Sequence, residues 1–303
     1  MICVFILELK SMIKWLQKSQ NIILNVRNPL PKPYLGLAFE DHLFSQIPKN
    51  FPENDPKRII FLWRNHPTVV CGKFQNIWRE TNVNYCKSHN INLARRSSGG
   101  GTVFHDPGNL NISVFTNKKF YSRKFNLTAV KNSLEPIFID KDFYISDRDD
   151  LFVTKDDEHF KISGSAARLD SRSAYHHFTL LFQSDKSKIR KSLTTPLDPS
   201  KIITHATKSV PSPTTNLLNS NQNLEENLSQ FISQLNENLQ SSLIEIEDFY
   251  EIESLEVDFD DIEKRSDELE QWEWIYGKTP KFSYDGRIIN KGIDQESLEK
   301  FEI

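Results

Sequence analysis

Cysteine is scarce in this chain of 303 residues, which contains only Cys3, Cys71 and Cys86 and no Cys-x-x-Cys pair. This scarcity excludes a disulfide scaffold and indicates a protein of a reducing compartment. Cys71 is a candidate thiol nucleophile, but we expect it to be buried in a strand, because free cysteine is among the most buried residue types. The sequence also has no apolar run close to the roughly 20 residues that a membrane-spanning helix needs.

Several common catalytic and binding motifs are absent as well. The sequence contains no Gly-x-x-x-x-Gly-Lys-Ser/Thr loop, no Gly-x-Gly-x-x-Gly turn, no His-Glu-x-x-His pair and no serine-hydrolase elbow. The commonest nucleotide-binding loops, zinc proteases and serine hydrolases are therefore excluded. Because no block of consecutive Lys or Arg and no zinc pattern is present, nucleic-acid binding is also disfavoured.

The length of the chain suits one large domain, or a large domain with a small one. Hydrophobic residues make up 38% of it and include 21 Phe, which is enough for a sizeable core. The net charge of −3 conceals an asymmetry: residues 1–220 hold 31 Lys/Arg against 19 Asp/Glu, and residues 221–303 hold 7 against 22. The basic part indicates an anionic ligand or an acidic partner.

A glycine-rich stretch at residues 95–109 is the most informative part of the sequence. The protein has ten glycines, and three of them are consecutive at 99–101. Glycine lets backbone N–H groups approach an anion closely, and the preceding Arg95 and Arg96 add charged forks that suit phosphate or carboxylate. We predict a phosphate-handling loop between two β segments; a plain glycine-rich turn has the same composition and stays open.

The spacing of apolar residues predicts a fold in which strands outnumber helices. Helices are predicted over residues 35–47, 83–89, 127–138 and 224–246. Strands are predicted over residues 58–63, 68–72, 91–94, 111–116, 160–168 and 174–182. Because short turns join several strands, we expect an α/β fold of the α+β type, with mixed, largely antiparallel sheets flanked by helices.

The first 33 residues are basic and nearly free of acids. Glu8 is the only acid among them. The bases, which are spread among apolar residues, are Lys10, Lys14, Lys18, Arg27 and Lys32. A mitochondrial transit peptide has this composition. A disordered or strand-forming N-terminus has it equally, so residues 1–33 are predicted to be a targeting segment or an N-terminal extension.

Two features of the predicted strands carry candidate chemistry. Lys161 precedes a run of small residues that would let a ligand approach, and at strand period two it shares a face with Ser163. Its ammonium suits a position between a carbonyl oxygen and a phosphate, although residue type alone favours an exposed strand lysine. His176 and His177 suggest a metal or a base, but neighbours in a strand point to opposite faces and cannot chelate one ion together.

Several segments together resemble the lipoate–protein ligase A and lipoyltransferase family. Residues 95–109 match its signature Arg-Arg-x-Ser-Gly-Gly-Gly-(Thr/Ala)-Val-(Phe/Tyr)-His-Asp-x-Gly-Asn, and Lys-Ile-Ser-Gly-Ser-Ala at 161–166 matches a second signature that contains the family's essential lysine. His-His-x-Thr-Leu-Leu at 176–181 and Ala-Thr-Lys-Ser-Val-Pro-Ser at 206–212 match further segments. The resemblance runs from about residue 35 to about residue 284 and is closest to the mitochondrial branch of the family.

The resemblance implies a catalytic domain of the biotin and lipoate protein ligase type. We place this domain at residues 34–262 and a small C-terminal accessory domain from residue 263 onward. Since the chain ends at Ile303, residues 263–303 are expected to be only a remnant of that small domain. Activation of free lipoate by ATP is accordingly expected to be weak or absent.

The resemblance also implies acyl transfer. A lipoyl or octanoyl group, presented as acyl-AMP or on a lipoylated carrier protein, would pass to a lysine of a lipoyl domain and form an amide. Lys161 is the expected catalytic residue, holding the acyl carbonyl and the α-phosphate. The residues expected to bind lipoyl-AMP are Arg96, Ser98, Gly99, Gly100, Gly101, Val103, Phe104, His105, Arg148, Asp150, Ser163, Gly164, His177, Thr179, Thr207 and Ser209.

The implied donor is lipoyl-AMP, with ATP and Mg²⁺ needed only if the chain also activates lipoate, and no metal site is expected. The implied partners are the lipoyl domains of 2-oxoacid dehydrogenase acyltransferase subunits and the glycine-cleavage H protein. A monomer in the mitochondrial matrix is expected, with neither nucleic acid nor membrane as a partner.

Other functions stay open on the sequence. A full ATP-dependent lipoate–protein ligase differs only in the activation step. A biotin ligase would carry a Gly-Arg-Gly-Arg type loop, which this sequence lacks. An octanoyltransferase acting from a carrier protein would use a cysteine or a lysine. A non-catalytic scaffold that keeps the fold is the alternative of a different class, and the retained Arg96, Lys161 and three glycines argue against it.

Overall fold

The strands of the described residues form one large sheet and three small ones. The computed structural model describes residues 21–241, 248–252 and 260–289. Its strands, in chain order, are β1 (Asn21–Val26), β2 (Arg58–Trp63), β3 (Thr68–Cys71), β4 (Asn92–Arg95), β5 (Val103–His105), β6 (Asn109–Asn117), β7 (Asp142–Ile145), β8 (Leu151–Lys155), β9 (Glu158–Lys161), β10 (Ser165–Leu169), β11 (Ser173–Leu181), β12 (Ile202–Thr204), β13 (Asp248–Ile252), β14 (Phe282–Tyr284) and β15 (Arg287–Ile289).

The helices begin where the sequence supplies capping residues. Pro33 opens the first helix, and the side chains of Asn76, Asn82, Ser122 and Asp185 accept hydrogen bonds from the first turns of four others. In chain order the helices are α1 (Pro33–Asn50), α2 (Ile77–Glu80), α3 (Val83–Ser88), α4 (Arg123–Leu134), α5 (Lys186–Ser192), α6 (Leu224–Ser241), α7 (Asp260–Glu270) and α8 (Trp272–Ile275). Among the described residues, no helix is both long and apolar enough to cross a membrane.

The large sheet has the strand order β10-β11-β6-β2-β1-β13. Its first four strands are antiparallel, whereas β1 runs parallel to both β2 and β13. Strands β6 and β11 pair along their whole length. The predicted mixed, largely antiparallel architecture is therefore confirmed.

Two hydrophobic clusters lie on opposite faces of this sheet because side chains alternate along its strands. On β2, Phe61 and Trp63 belong to the cluster that contains α1, whereas Ile60 and Leu62 belong to the cluster that contains α4 and α6. Buried Phe231 on the apolar side of α6 shows how the predicted amphipathic helix covers the second face.

One of the small sheets holds the two ends of the glycine-rich loop. Its order is β4-β3-β5, with β4 parallel and β5 antiparallel to the central β3. The chain therefore leaves this sheet at the end of β4, on one side of β3, and returns through β5 on the other side. The predicted placement of the loop between two β segments is confirmed.

Strand β1 and helix α7 lie close to the two domain borders predicted above. Strand β1 lies inside the predicted extension 1–33 and is buried along its whole length, so the strand-forming alternative holds for residues 21–26; residues 1–20 lie outside the described part. The border predicted at 262/263 falls within α7, and Leu269 and Phe282 join the same cluster as α1. The described part of 263–289 thus packs on the catalytic domain's own core.

Candidate active site

A cavity of about 520 Å³ opens beside the glycine-rich loop. One cross-strand row of the large sheet lines it, because Asn111 on β6 pairs with Trp63 on β2 and with Thr179 on β11. The loop itself, the turn between β9 and β10, and residues 207–212 supply further lining. This volume is within the ~300–1,000 Å³ of typical small-molecule sites.

The path of the glycine-rich loop requires glycine at two positions. Gly100 has a φ of +84°, and a Cβ there would lie 2.9 Å from Ala166 Cβ. At Gly72, on the neighbouring turn, a Cβ would lie 2.2 Å from the Gly100 carbonyl oxygen. A Cβ at Gly99 would meet no heavy atom within 4 Å. The close approach of the Gly100 backbone therefore accounts for Gly72, and the positive φ together with close side chains accounts for Gly100.

Arg96 lines the cavity, but most of its N–H groups donate hydrogen bonds to the glycine-rich loop. Its Nη2 donates to the carbonyls of Gly99 and Gly101 at 2.7 and 2.6 Å, and its Nη1 donates to the Val70 carbonyl at 2.9 Å. Its Nε donates to Ser98 Oγ at 3.1 Å. The guanidinium thus braces the loop from inside while adding positive charge to the cavity wall.

Arg95 offers no charged fork to an anion, contrary to the prediction. It is fully buried, and its Nε donates to the Ile275 carbonyl while its Nη2 donates to Thr279 Oγ1, both at 2.8 Å. Its Nη1 donates to the carbonyls of Gly72 and Gln75. The N–H groups of Arg95 are thus already hydrogen-bonded within the protein. These bonds connect residues 275–279 to the start of the glycine-rich loop.

Lys161 reaches the cavity at the end of β9. Its Nζ lies 2.6 Å from Asp150 Oδ2, and both side chains line the cavity. The strand ends at Lys161, so the strand alternation that predicted a shared face with Ser163 does not continue. Ser163 turns inward instead, and its Oγ accepts a hydrogen bond from the Leu151 N–H.

Positive charge dominates the lining. Arg123, Arg148 and Lys208 join Arg96 and Lys161, whereas Asp150 is the only acid that lines the cavity within the described part of the chain. Arg148 and Lys208 make no hydrogen bond or ion pair with any residue in the described part of the chain. A cavity with this charge favours an anionic ligand.

The two adjacent histidines of β11 face opposite sides, as predicted. His177 lines the cavity and connects Ser98 Oγ, 2.7 Å from its Nε2, with Glu40 Oε1, 3.2 Å from its Nδ1. His176 lies on the other face, where its Nδ1 contacts the Asn126 side chain. Within residues 21–241, 248–252 and 260–289, no group of three or more His, Cys, Asp or Glu side chains is arranged to hold a metal ion.

Two histidines near the site are held neutral. Burial, reinforced by Arg96, lowers the pKa of His105 to about 3. Burial, reinforced by Arg123, lowers the pKa of His176 to about 3. Neither imidazole can therefore add positive charge to the region at neutral pH.

Most of the residues predicted to bind lipoyl-AMP line this one cavity. Those brought together are Arg96, Gly100, Gly101, Val103, His105, Arg148, Asp150, Gly164, His177, Thr179, Thr207 and Ser209, and the predicted catalytic residue Lys161 lines the same cavity. Four others are not among the lining residues: Ser98, Gly99, Phe104 and Ser163. Phe104 is packed in the core. Gly99 and Ser98 form hydrogen bonds with the lining residues Arg96 and His177, whereas Ser163 accepts from the N–H of Leu151, which is not among the lining residues.

The sequence did not single out several lining residues. Leu37, Trp63, Val70 and Phe178 give the cavity an apolar surface, and Arg123 and Lys208 add charge. The apolar residues lie on strands and a helix that the sequence predicts to be partly buried. The sequence does not show which of their buried side chains contact a ligand and which contact the core. Cys71 and Cys86 are both buried, and neither is among the lining residues.

The fold and the cavity together define a catalytic domain of the lipoyl protein ligase type, and the chain belongs to that family. Residues 32–240 match the lipoyl protein ligase A/B catalytic domain.

Two relatives and one solved structure extend this match. The chain is 38% identical over 258 residues to the mitochondrial lipoyl amidotransferase LIPT1 of Mus musculus, covering 83% of this chain but only 65% of that protein. It is 34% identical over 259 residues to lipoate-protein ligase A of Bdellovibrio bacteriovorus, covering 83% and 71%. The crystal structure of P. falciparum LipL1 in complex with lipoate matches with a TM-score of 0.65 and 27% identity, over 86% of this chain and 75% of that one.

Proposed function

We propose that this protein transfers a lipoyl or octanoyl group from an acyl-adenylate to a lysine of a lipoyl domain. The observation that carries the proposal is one cavity that combines an apolar surface, the braced glycine loop and the Lys161–Asp150 pair. An acyl-adenylate has an alkyl chain and an anionic phosphate, so it requires both kinds of lining. The names of the relatives, a lipoyl amidotransferase and a lipoate-protein ligase, support the same chemistry.

The reaction is an aminolysis. The acceptor lysine amine attacks the acyl carbonyl carbon, a C–N bond forms, the bond to the phosphate oxygen breaks, and AMP leaves while the amine loses a proton. Lys161 holds the carbonyl oxygen and the α-phosphate, so a fixed positive charge meets the charge that develops on oxygen. Asp150 keeps the ammonium in place, and no enzyme-bound acyl intermediate is required.

The remaining site residues have supporting roles in this proposal. The glycine loop, Thr207 and Ser209 border the phosphate and nucleotide, and Arg148 contributes charge. The alkyl tail lies along Leu37, Trp63 and Val70. ATP and Mg²⁺ enter only if the same cavity also activates free lipoate.

The decisive experiment gives the purified protein an apo lipoyl domain with either lipoyl-AMP or lipoate, ATP and Mg²⁺. Intact-mass spectrometry of the acceptor reports the transfer. We expect acylation from lipoyl-AMP, and the ATP arm shows whether activation belongs to this chain. If neither donor acylates an acceptor that a known ligase labels, the proposal fails.

A thiol-dependent octanoyltransferase is the rival that the same assay tests. Burial raises the pKa of Cys86 to about 11, and Cys71 is fully buried. A thiol of this kind is mostly protonated and poorly reactive. We expect a variant with Cys71→Ala and Cys86→Ala to keep its transfer from lipoyl-AMP, whereas complete loss in a folded variant would favour a thiol intermediate.

For location and partners we propose the mitochondrial matrix, with lipoyl domains of 2-oxoacid dehydrogenases and the H protein as acceptors. The relative from Mus musculus is named mitochondrial, and residues 1–20 contain one acid and three lysines. A full-length fluorescent fusion should enter the matrix. Replacing Lys10, Lys14 and Lys18 with Glu should leave it in the cytosol, and matrix import of this variant would contradict the targeting role.

A further inference from the structure

Gln75 is a fully buried amide that joins three loops of the candidate site. Its Oε1 accepts hydrogen bonds from the Gly72 N–H and from Thr102 Oγ1, both at 2.8 Å. Its Nε2 donates to Ser209 Oγ at 3.0 Å and to the Thr207 carbonyl at 3.5 Å. The orientation of the amide is unambiguous, because a backbone N–H can only donate and so Oε1 must face Gly72.

This orientation determines what Ser209 can do. Ser209 Oγ accepts from Gln75 Nε2 and also from the Thr102 N–H at 2.9 Å. A hydroxyl has two acceptor lone pairs and one donor, so both of its acceptor positions are filled. No residue in the described part of the chain accepts the Ser209 O–H, and Ser209 lines the cavity.

The charge that faces this hydroxyl inside the cavity is mainly positive, because Glu80, whose Oε2 accepts from the Ser209 N–H at 3.1 Å, is not among the lining residues. Lys208 is the neighbour of Ser209 in the chain, and Arg96 and Lys161 line the same cavity. This positive charge attracts an anionic oxygen of a ligand. The Ser209 O–H, which can only donate, would then form a charge-assisted hydrogen bond to that oxygen.

We propose that Gln75 is a positioning residue for the acyl-adenylate: by filling an acceptor position on Ser209, it commits the Ser209 O–H to donate to an anionic oxygen of the bound acyl-phosphate group. Gln75 itself does not line the cavity and acts through Ser209. The inference rests on the proposed transfer from acyl-AMP and adds the residues that orient its phosphate.

The first test is a double-variant cycle measured with lipoyl-AMP and an apo lipoyl domain. Ser209→Ala and Gln75→Ala are each expected to raise KM for lipoyl-AMP roughly 10- to 100-fold, the range for a lost hydrogen bond to a charged group, with a smaller change in kcat. The KM of the double variant should be within about threefold of the KM of the more severe single variant, because both substitutions remove the same contact. Effects that multiply, or that leave KM unchanged, overturn the proposal.

The second test reverses the hydrogen bond. In Gln75→Glu the carboxylate keeps the contacts to Gly72 and Thr102 but accepts from Ser209, which turns the O–H away from the cavity. KM for lipoyl-AMP should rise as in Gln75→Ala and return toward the wild-type value as pH is lowered, because a protonated carboxyl group donates again. Gln75→Ala should show no such recovery, and equal pH profiles for the two variants contradict the proposal.

Asn117→Ala serves as the matched control for fold damage. Asn117 is another buried amide, which donates to the Pro52 and Asp55 carbonyls and is not among the cavity-lining residues. It should lose stability without raising KM. If the wild-type protein does not use lipoyl-AMP, the proposed function fails. If the wild-type protein transfers the acyl group but the effects of Ser209→Ala and Gln75→Ala on KM multiply in the double variant, only the role of Gln75 fails.

Discussion

The ammonium of Lys161 lies 2.6 Å from the carboxylate of Asp150, and the two side chains are only 20% and 14% exposed. The backbone of Lys161 is fixed as well, because its N–H donates to the Pro213 carbonyl and its carbonyl accepts from the Thr215 N–H. Partial burial weakens solvent screening of the pair, so it holds its geometry better than a surface ion pair does. A charge fixed in this way can stabilise a transition state without reorganising.

Removing the Lys161 charge tests the proposed catalytic role. Lys161→Ala should fold and lose transfer from lipoyl-AMP by roughly 10²–10³-fold, or about 2.7–4 kcal/mol, as when an oxyanion donor is removed. Lys161→Arg should fail too, because a planar fork does not replace a compact ammonium. Asp150→Asn should lose less activity, since the charge remains and only its partner is altered. Single-turnover acylation of an apo lipoyl domain measures all three.

Lys155→Ala is the control for these variants, because Lys155 is an exposed lysine of the same hairpin. It should match the wild type in both rate and circular dichroism. Transfer by Lys161→Ala within a few-fold of wild type would remove Lys161 from the mechanism.

The glycines give a prediction about stability. A Cβ at Gly72 would overlap the Gly100 carbonyl oxygen, and Gly100 combines a close contact with a φ of +84°. Gly72→Ala and Gly100→Ala should therefore lower the free energy of unfolding by about 1–3 kcal/mol each. Gly99→Ala, with open space around its Cβ position, should stay within about 0.5 kcal/mol of wild type.

Urea unfolding followed by tryptophan fluorescence compares the three glycine variants. Equal stability of Gly99→Ala and Gly100→Ala would show that the loop adapts to a side chain at either position. The composition of the loop could not have ranked the three variants, because the ranking depends on the φ angle at each glycine and on which atoms lie opposite its Cβ position.

Local pattern made much of the fold predictable. The apolar run at β2 is bounded by polar residues and was predicted at the observed limits, and the predicted helix 35–47 lies within α1. Strand β1 was ambiguous because its short apolar run follows a basic, acid-poor segment that a targeting peptide also has. Only its pairing with β2 and β13 identifies it as a core strand.

The candidate site was predictable where a motif is long, and not where contacts are distant in sequence. Lys161 was singled out by a resemblance, since its residue type alone indicates an exposed lysine. Gln75 was missed because its partner Ser209 lies 134 positions away. The burial of Arg95 is unpredictable for a related reason, because two of its partners, the Ile275 carbonyl and Thr279 Oγ1, are about 180 positions away in the sequence.

The buried histidines predict how stability depends on pH. The pKa of His105 and that of His176 are each lowered to about 3, mainly by burial, from 6.5. Between about pH 3 and 6.5 the unfolded state therefore binds more protons than the folded state. Their contribution is complete above pH 6.5 and is lost as the pH falls. At pH 5, the contribution of each histidine to the free energy of unfolding should be about 2 kcal/mol smaller than at pH 8.

Unfolding free energies at pH 5 and pH 8 test this dependence. His176→Gln should reduce the difference between the two pH values by about 2 kcal/mol, whatever its effect on stability at pH 8. Asn117→Ala, which removes a buried amide and no titratable group, should leave the difference unchanged. A difference that persists in full in His176→Gln would assign the acid sensitivity to other groups.

The last prediction concerns the junction between Arg95 and residues 274–279. The Trp274 indole N–H donates to the Arg95 carbonyl at 2.8 Å, and the Arg95 guanidinium donates to the Ile275 carbonyl and to Thr279 Oγ1. These bonds close around the last residue of β4, directly before the loop. Thr279→Val keeps the shape of the side chain but leaves a buried charged donor unpaired. We expect it to cost about 1–3 kcal/mol.

Thr194→Val is its control, because the exposed Thr194 hydroxyl donates only to the Arg190 carbonyl within α5. That variant should stay within about 0.5 kcal/mol of wild type. Combining Thr279→Val with Arg95→Met should cost less than the sum of the two single variants, because the unpaired donor disappears together with its partner. Additive losses in urea unfolding, or a Thr279→Val variant as stable as Thr194→Val, would show that the junction does not hold the loop.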